Sequence, residues 1–262
     1  MSLVRSVPRL VVALLIFASS GCQYGAYFFR ATHEPMLALE VRMDRTERRS
    51  CVVVMMPGML NVPDTYLDRG FVDDMVRASR RCDIVSADAH FGYYRHGTVA
   101  QRVHEDILAP ARRRGYDAIW LVGSSMGAMG AMMVAAAHPD DIDGIVLLGP
   151  WFGEEPWIAQ IEAAGGLAAW DPSDAPETPQ ATMWAWMQGY ATHPDSMPPL
   201  FIAMGESDGM RRGSDLVGVH LPSRRYGLAE GGHEWDTWRV IWRRLLAHPP
   251  WDPGRGTPRI DR

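Results

Sequence analysis

The chain predicts an α/β architecture, a mostly parallel central sheet flanked by helices, and three observations carry that expectation. Short apolar runs such as Cys51 to Met56, Ala118 to Val122, Gly144 to Leu148 and Leu200 to Met204 have no polar face, as strands buried on both sides require. Helix-like segments alternate with these runs, and such alternation implies parallel strands joined by crossover helices. In the middle of the pattern, Gly123-Ser124-Ser125-Met126-Gly127 turns a strand sharply into an Ala- and Met-rich helix.

In chain order, Leu37 to Met43 is expected as an edge strand and Cys51 to Met56 as a buried one ending at Pro57-Gly58. Phe71 to Arg81 fits a helix and Asp83 to Ala87 a strand. Val99 to Arg114 fits a helix in which Pro110, lacking an N–H, marks a kink or a break. The strand Ala118 to Val122 and the helix Ala128 to His138 flank the turn, with Pro139-Asp140 as the stop. Gly144 to Leu148, Leu200 to Met204 and a weaker Arg224 to Leu228 complete the strands. Glu234 to Ala247 closes the pattern, with Trp235, Trp238, Ile241, Trp242 and Leu245 at helical spacing. Trp151 to Pro199 interrupts the alternation and is too long for a simple loop. It is expected to form a small helical cap. Residues 249–262, rich in Pro and Arg, are expected to be a loose tail.

Composition narrows the function. A chain of 262 residues that is 47% hydrophobic can bury a substantial core, and no compositional shift marks a second domain. The net charge of −5 and the lack of a basic stripe argue against a nucleic-acid partner. All 26 basic residues are Arg, which excludes Schiff-base chemistry, Walker-type phosphate binding and Ser-Lys dyads. No cofactor is called for. Asp88, His90, His96 and His104 lack any paired metal-ligand spacing, so no metal is expected.

The first 35 residues stand apart. Arg5 and Arg9 precede the apolar run Leu10 to Ala18, too short to span a bilayer as a mature helix. The run ends in Ser19-Ser20-Gly21-Cys22, which resembles a bacterial lipoprotein signal with Cys22 as the lipidated first residue, although Ser19 replaces the usual aliphatic residue. The alternative is an ordinary secretory signal cleaved nearby. Either way the protein is expected to be exported, with residues 1–21 removed, 22–35 acting as a tether beside a membrane, and 36–248 forming the folded domain.

Gly-x-Ser-x-Gly in this context is the nucleophile elbow, which strains the Ser125 backbone and lifts its hydroxyl clear of the sheet. Flanking glycines avoid Cβ clashes between strand and helix. Beyond it, the Leu200 strand runs into Gly205-Glu206-Ser207-Asp208, placing a carboxylate at the edge of the sheet where ligands collect. The last strand leads to Gly231-Gly232-His233. An imidazole there can accept the Ser125 proton, with Asp208 fixing its tautomer. Glu206, Asp215 and Asp236 are rival carboxylates, and Asp208 is preferred on position alone. Tyr93 and Tyr94 either line a substrate groove or pack beneath the cap. Trp157, Trp170, Trp184, Trp186 and Met187 either form an acyl pocket or hold the cap to the body.

From Cys51 to Ala247 the chain resembles the α/β-hydrolases, through Met56-Pro57-Gly58-Met59, Asp88-Ala89-His90-Phe91-Gly92-Tyr93-Tyr94 and the elbow. Gly231-Gly232-His233-Glu234-Trp235-Asp236-Thr237-Trp238-Arg239 is similar to the His-bearing stretch of the putative esterase family. The His-Gly-Gly-Gly of lipases is missing, and Pro57-Gly58-Met59 stands in its place. The resemblance implies an α/β-hydrolase fold and an oxyanion hole built from the backbone N–H groups of Met59 and Met126, whose side chains do not matter to that role. It also implies that the strands begun by Cys51 and Cys82 are neighbours. A disulfide between them is then geometrically open, and two buried free thiols are the alternative.

These readings converge on a serine hydrolase of an ester or thioester, acting through an acyl-enzyme on a small acyl substrate. An acyltransferase would use the same three residues. A non-catalytic hydrolase-like lipoprotein binding a lipid or protein would need none of them.

Overall fold

The sheet has seven strands in the order β1-β3-β2-β4-β5-β6-β7: Ala38–Val41 (β1), Cys51–Met56 (β2), Cys82–Ala87 (β3), Ala118–Ser124 (β4), Gly144–Leu148 (β5), Leu200–Gly205 (β6) and Tyr226–Ala229 (β7). Only β1 runs antiparallel, pairing with β3 from Ala38 opposite Ala87. This is a computed structural model, and it describes residues 26–43, 51–78, 81–252 and Ile260. The expected signal segment 1–21 and Cys22 lie outside the described residues.

The apolar runs form the interior strands because both faces of the sheet are covered. Every residue of β2, β3 and β5 is buried. Alternate side chains serve two separate cores, as the strand period of two demands. Val52, Val54, Leu121, Leu147 and Ile202 face the elbow helix Met126–Ala137 and the cap. Val53, Met55, Val122, Leu148 and Phe201 face the helices Phe71–Ala78 and Trp235–Ala247. Trp242 anchors that second core, its indole N–H donating to the Phe71 carbonyl at 3.1 Å. Arg239 and Arg243 both hydrogen-bond Asp74, which fastens the closing helix to Phe71–Ala78.

Cys51 and Cys82 are direct partners in the parallel β2–β3 register, 4.6 Å apart at Cα, and their sulfurs are bonded. The bridge joins the beginnings of the two strands, at the end of the sheet opposite the loops described below.

The cap spans the expected region and contains the helices Glu155–Ala163, Pro179–Met187 and Gly189–Thr192. Phe152 stacks on Trp184 within the cap at 5.1 Å, and the helix Pro179–Met187, with Trp184 and Met187 buried, packs against the elbow helix and holds the cap to the body. The Val99 helix continues through Pro110 to Arg113, but with a π-helical turn at His104–Leu108 immediately before it. The wider turn accommodates the ring where the α-helical ladder would clash with it.

Two boundary expectations are corrected. Residues 26–35 are not a free tether: Tyr27 is buried, Arg30 pairs with Asp88 at 2.7 Å, and the His33 N–H donates to the Tyr93 hydroxyl at 2.8 Å. Nor is the tail loose along its whole length. Trp251 packs on Trp120 and Trp242, and buried Ile260 donates its N–H to Arg224 O at 2.8 Å. In both segments isolated aromatic and aliphatic residues find apolar surface left open by the sheet, a match no periodicity announces.

Candidate active site

The order of strands reverses between β2 and β4, since the chain passes from β2 to β3 on one side and then to β4 on the other. The crevice outside the carboxyl ends of strands at such a point is the natural ligand site of an open α/β sheet. Pro57-Gly58 leaves β2 there and Ser125 leaves β4.

Ser125 has φ 52° and ψ −118°, a conformation that L-residues seldom adopt and that costs energy wherever it occurs. Its neighbours explain how the turn is tolerated. A Cβ on Gly123 would strike the Gly127 carbonyl oxygen and the Ala128 backbone, and one on Gly127 would strike the Met56 carbonyl oxygen. Glycine at both positions lets strand, turn and helix close on one another.

The structure brings Ser125, His233 and Asp208 together. Ser125 Oγ lies 2.9 Å from His233 Nε2, and His233 Nδ1 lies 2.8 Å from Asp208 Oδ2. Asp208 has a fully buried side chain, and its other oxygen accepts the Met210 N–H at 2.9 Å. With Nδ1–H donated to the carboxylate, Nε2 is left as the acceptor for the Ser125 hydroxyl. Trp238 supports the imidazole edge-on, 4.8 Å away at 84°. The loops carrying Asp208 and His233 are stitched together by Ser207, whose N–H and hydroxyl both donate to Gly231 O. Gly205 permits this, since a Cβ there would meet the Gly231 and Gly232 carbonyl oxygens. Of the rival carboxylates, Asp215 is engaged by Arg211 and Tyr226, while Glu206 and Asp236 are exposed.

Met126 is the first residue of the elbow helix, so its N–H is one of those that a helix leaves without an internal acceptor. The Met59 N–H makes no hydrogen bond among the described residues. Gly58 brings the Met59 loop close, since a Cβ at 58 would sit 3.2 Å from Ser125 Cβ. Both N–H groups therefore belong to turns that adjoin Ser125.

Residues 93–183 match a family model described as alpha/beta hydrolase fold. The chain has the α/β-hydrolase fold. Among solved structures it is similar to an S-formylglutathione hydrolase from Staphylococcus aureus, 12% identical over 83% of this chain and 97% of that one, with a TM-score of 0.55. A fluorophosphonate-binding serine hydrolase from Staphylococcus aureus is 14% identical over 81% and 98%, with a TM-score of 0.53. A ferulic acid esterase is 14% identical over 80% and 95%, with a TM-score of 0.52. At these identities the likeness is one of fold. No curated protein matches the chain in sequence.

Within this α/β-hydrolase fold, sequence reasoning missed the buried contacts behind the elbow. Ser124 is wholly buried and its Oγ accepts the Gly58 N–H at 3.1 Å. Tyr66 donates to Met56 O at 3.0 Å, with its hydroxyl close to Ser124. Burial pushes the Tyr66 phenol well above its usual range, so it stays a neutral donor. These bonds fix the Met59 loop against the elbow.

Tyr93 is fully buried and exchanges hydrogen bonds with the His33 backbone. Tyr94 instead lines a cavity of about 920 Å³ between the elbow helix and the cap, together with Met129, Met133 and Trp157. That cavity does not include Ser125 or His233. Asp88, His90, His96 and His104 do not converge. His90 caps the helix Phe91–Arg95, and burial holds its imidazole below the usual value against the opposing pull of Asp88. His104 lies with His138 and Asp141 at the far end of the elbow helix from Ser125, its Nε2 3.0 Å from an Asp141 carboxylate oxygen and its ring stacked on His138.

Proposed function

We propose that this protein is a serine hydrolase that cleaves a carboxylic ester or thioester through an acyl-enzyme. The observation that carries the proposal is the continuous hydrogen-bonded chain from Ser125 Oγ through both nitrogens of His233 to the buried Asp208. Ser125 Oγ attacks the acyl carbon as its proton passes to His233 Nε2, and Asp208 stabilises the imidazolium. The Met59 and Met126 N–H groups take the charge that develops on the carbonyl oxygen. Collapse expels the alcohol or thiol, which leaves with the proton from His233. Water then repeats the sequence at the acyl carbon, releasing the acid and restoring Ser125. The activities named for the fold neighbours, ester and thioester hydrolysis among them, fall in the same class.

The Arg-flanked apolar run before Cys22 supports export and lipid attachment at that residue, and a structural disulfide fits an oxidising compartment. A series of p-nitrophenyl esters of increasing acyl length tests the catalytic reading. Wild type should hydrolyse at least the short members, and Ser125→Ala should lower kcat by several orders of magnitude without changing the melting temperature. Equal rates in the two proteins would refute it.

A further inference from the structure

Several of the large apolar side chains that stand exposed lie on segments that adjoin the site. Met59, Leu60 and Val62 follow Gly58 in the loop beside Ser125, and Met210 donates its N–H to Asp208. Phe29, 80% exposed, stands on the N-terminal segment, two residues after Tyr27. The hydroxyl of Tyr27 lies close to the Leu60 backbone and accepts the Phe91 N–H at 3.3 Å. Among the described residues, Leu37, Leu67, Val219 and Val240 are also exposed, each outside these segments. One exposed leucine needs no explanation, but several apolar side chains around one mouth form a patch of the kind that marks an interaction surface. Leu60 sharpens the point. It is 43% exposed in a left-handed conformation, φ 64°, which Gly or Asn would occupy with less strain and more favourable solvation.

The path of the chain says what covers this rim. Tyr27 and Arg30 pack against Phe91 and Asp88, just beyond the carboxyl end of β3, so the chain before them approaches the fold at the edge of the sheet that carries the site. Cys22 precedes Ala26 by four residues, which reach at most about 14 Å when fully extended. An anchor at Cys22 would therefore place the exposed rim, rather than the cap or the far end of the sheet, nearest the lipid.

We propose that this rim is a membrane-docking face: Phe29, Leu60, Val62 and their neighbours insert among phospholipid acyl chains, so that Ser125 faces the bilayer and takes an acyl ester held within it. The substrate class rests on the serine-hydrolase reading above, whereas the docking does not. Side chains of this kind bury about 5–10 Å into the boundary between headgroups and acyl chains.

The test uses a chain beginning at Gln23, which keeps every described residue and leaves out the anchor, so that only the rim can bind. It is compared with the same chain carrying Phe29→Ser, Leu60→Asn and Val62→Ser, surface changes that avoid the proposed catalytic groups. Vesicles of phosphatidylcholine and phosphatidylglycerol should float the parent, and the triple variant should partition at least tenfold less. Hydrolysis of soluble p-nitrophenyl butyrate should agree within twofold between the two. Hydrolysis of a long-chain diacylglycerol carried in the vesicles should fall at least tenfold in the variant. Equal flotation and equal vesicle hydrolysis would overturn the proposal. So would a parent that ignores vesicles but forms a dimer the variant cannot form, which would assign the rim to a second copy of the chain. If neither protein hydrolyses the soluble ester, the catalytic reading fails while flotation still decides the docking face.

Discussion

Removing the Cys51–Cys82 bridge should destabilise the fold without touching the site. The bridge closes a loop with a sequence separation of 31 between the starts of adjacent strands. Chain-entropy loss from the unfolded state for such a loop amounts to about 3–4 kcal/mol. Both cysteines are buried, so Cys51→Ala/Cys82→Ala also leaves small voids that add to the loss. For a domain of this size, each kcal/mol moves the melting temperature by about 2–4 °C, giving an expected drop of about 6–16 °C. The six residues of β2 separate the bridge from Gly58, about 20 Å of strand, so kcat should stay within twofold. Calorimetry on wild type and the double variant, with ester turnover at 25 °C, measures both quantities. A drop of less than 2 °C, or two alkylatable thiols in the unfolded, unreduced wild type, would refute the reasoning.

Ser124→Ala deprives the Gly58 N–H of its buried acceptor, at a cost of about 1–3 kcal/mol, and frees the Met59 loop. Its melting temperature should fall by several degrees and kcat by up to about 100-fold, the scale of a lost oxyanion donor, which calorimetry and steady-state kinetics would show. Partial burial raises the Asp74 carboxyl, but hydrogen bonds from Arg239 and Arg243 outweigh it and hold the group down to about 2. Its contribution to stability, about 1 kcal/mol once solvent screening is allowed for, is therefore present above pH 4 and lost as pH falls from about 4 to 2. Asp74→Asn should flatten that part of the acid-unfolding curve followed by circular dichroism. An alkyne-palmitate label fed to expressing bacteria should mark the wild-type chain and not Cys22→Ala.

The sheet was legible in the sequence because its interior strands are buried on both faces. A run such as Gly144–Leu148 has no polar residue to blur its ends. The helices Thr65–Asp68, Phe91–Arg95 and Arg211–Gly218 were not, because one or two turns give too few residues to show a 3.6-residue period. Ser125, Asp208 and His233 could be proposed because each follows a strand, and strand ends converge on one edge of a parallel sheet. Ser124 and Tyr66 carry no such signal, since a buried hydroxyl differs from an exposed one only in its partners. The N-terminal segment shows the same gap. Tyr27, Arg30 and His33 each meet one complementary group, and single contacts across the fold have no pattern along the chain.

The central claim is that Ser125 is an activated nucleophile. Intact-mass analysis after incubation with a fluorophosphonate should show one adduct, and peptide mapping should place it on Ser125. His233→Ala should slow labelling by several orders of magnitude, and Ser125→Ala should abolish it. An unmodified wild type, or an adduct on another residue that survives Ser125→Ala, would contradict the account.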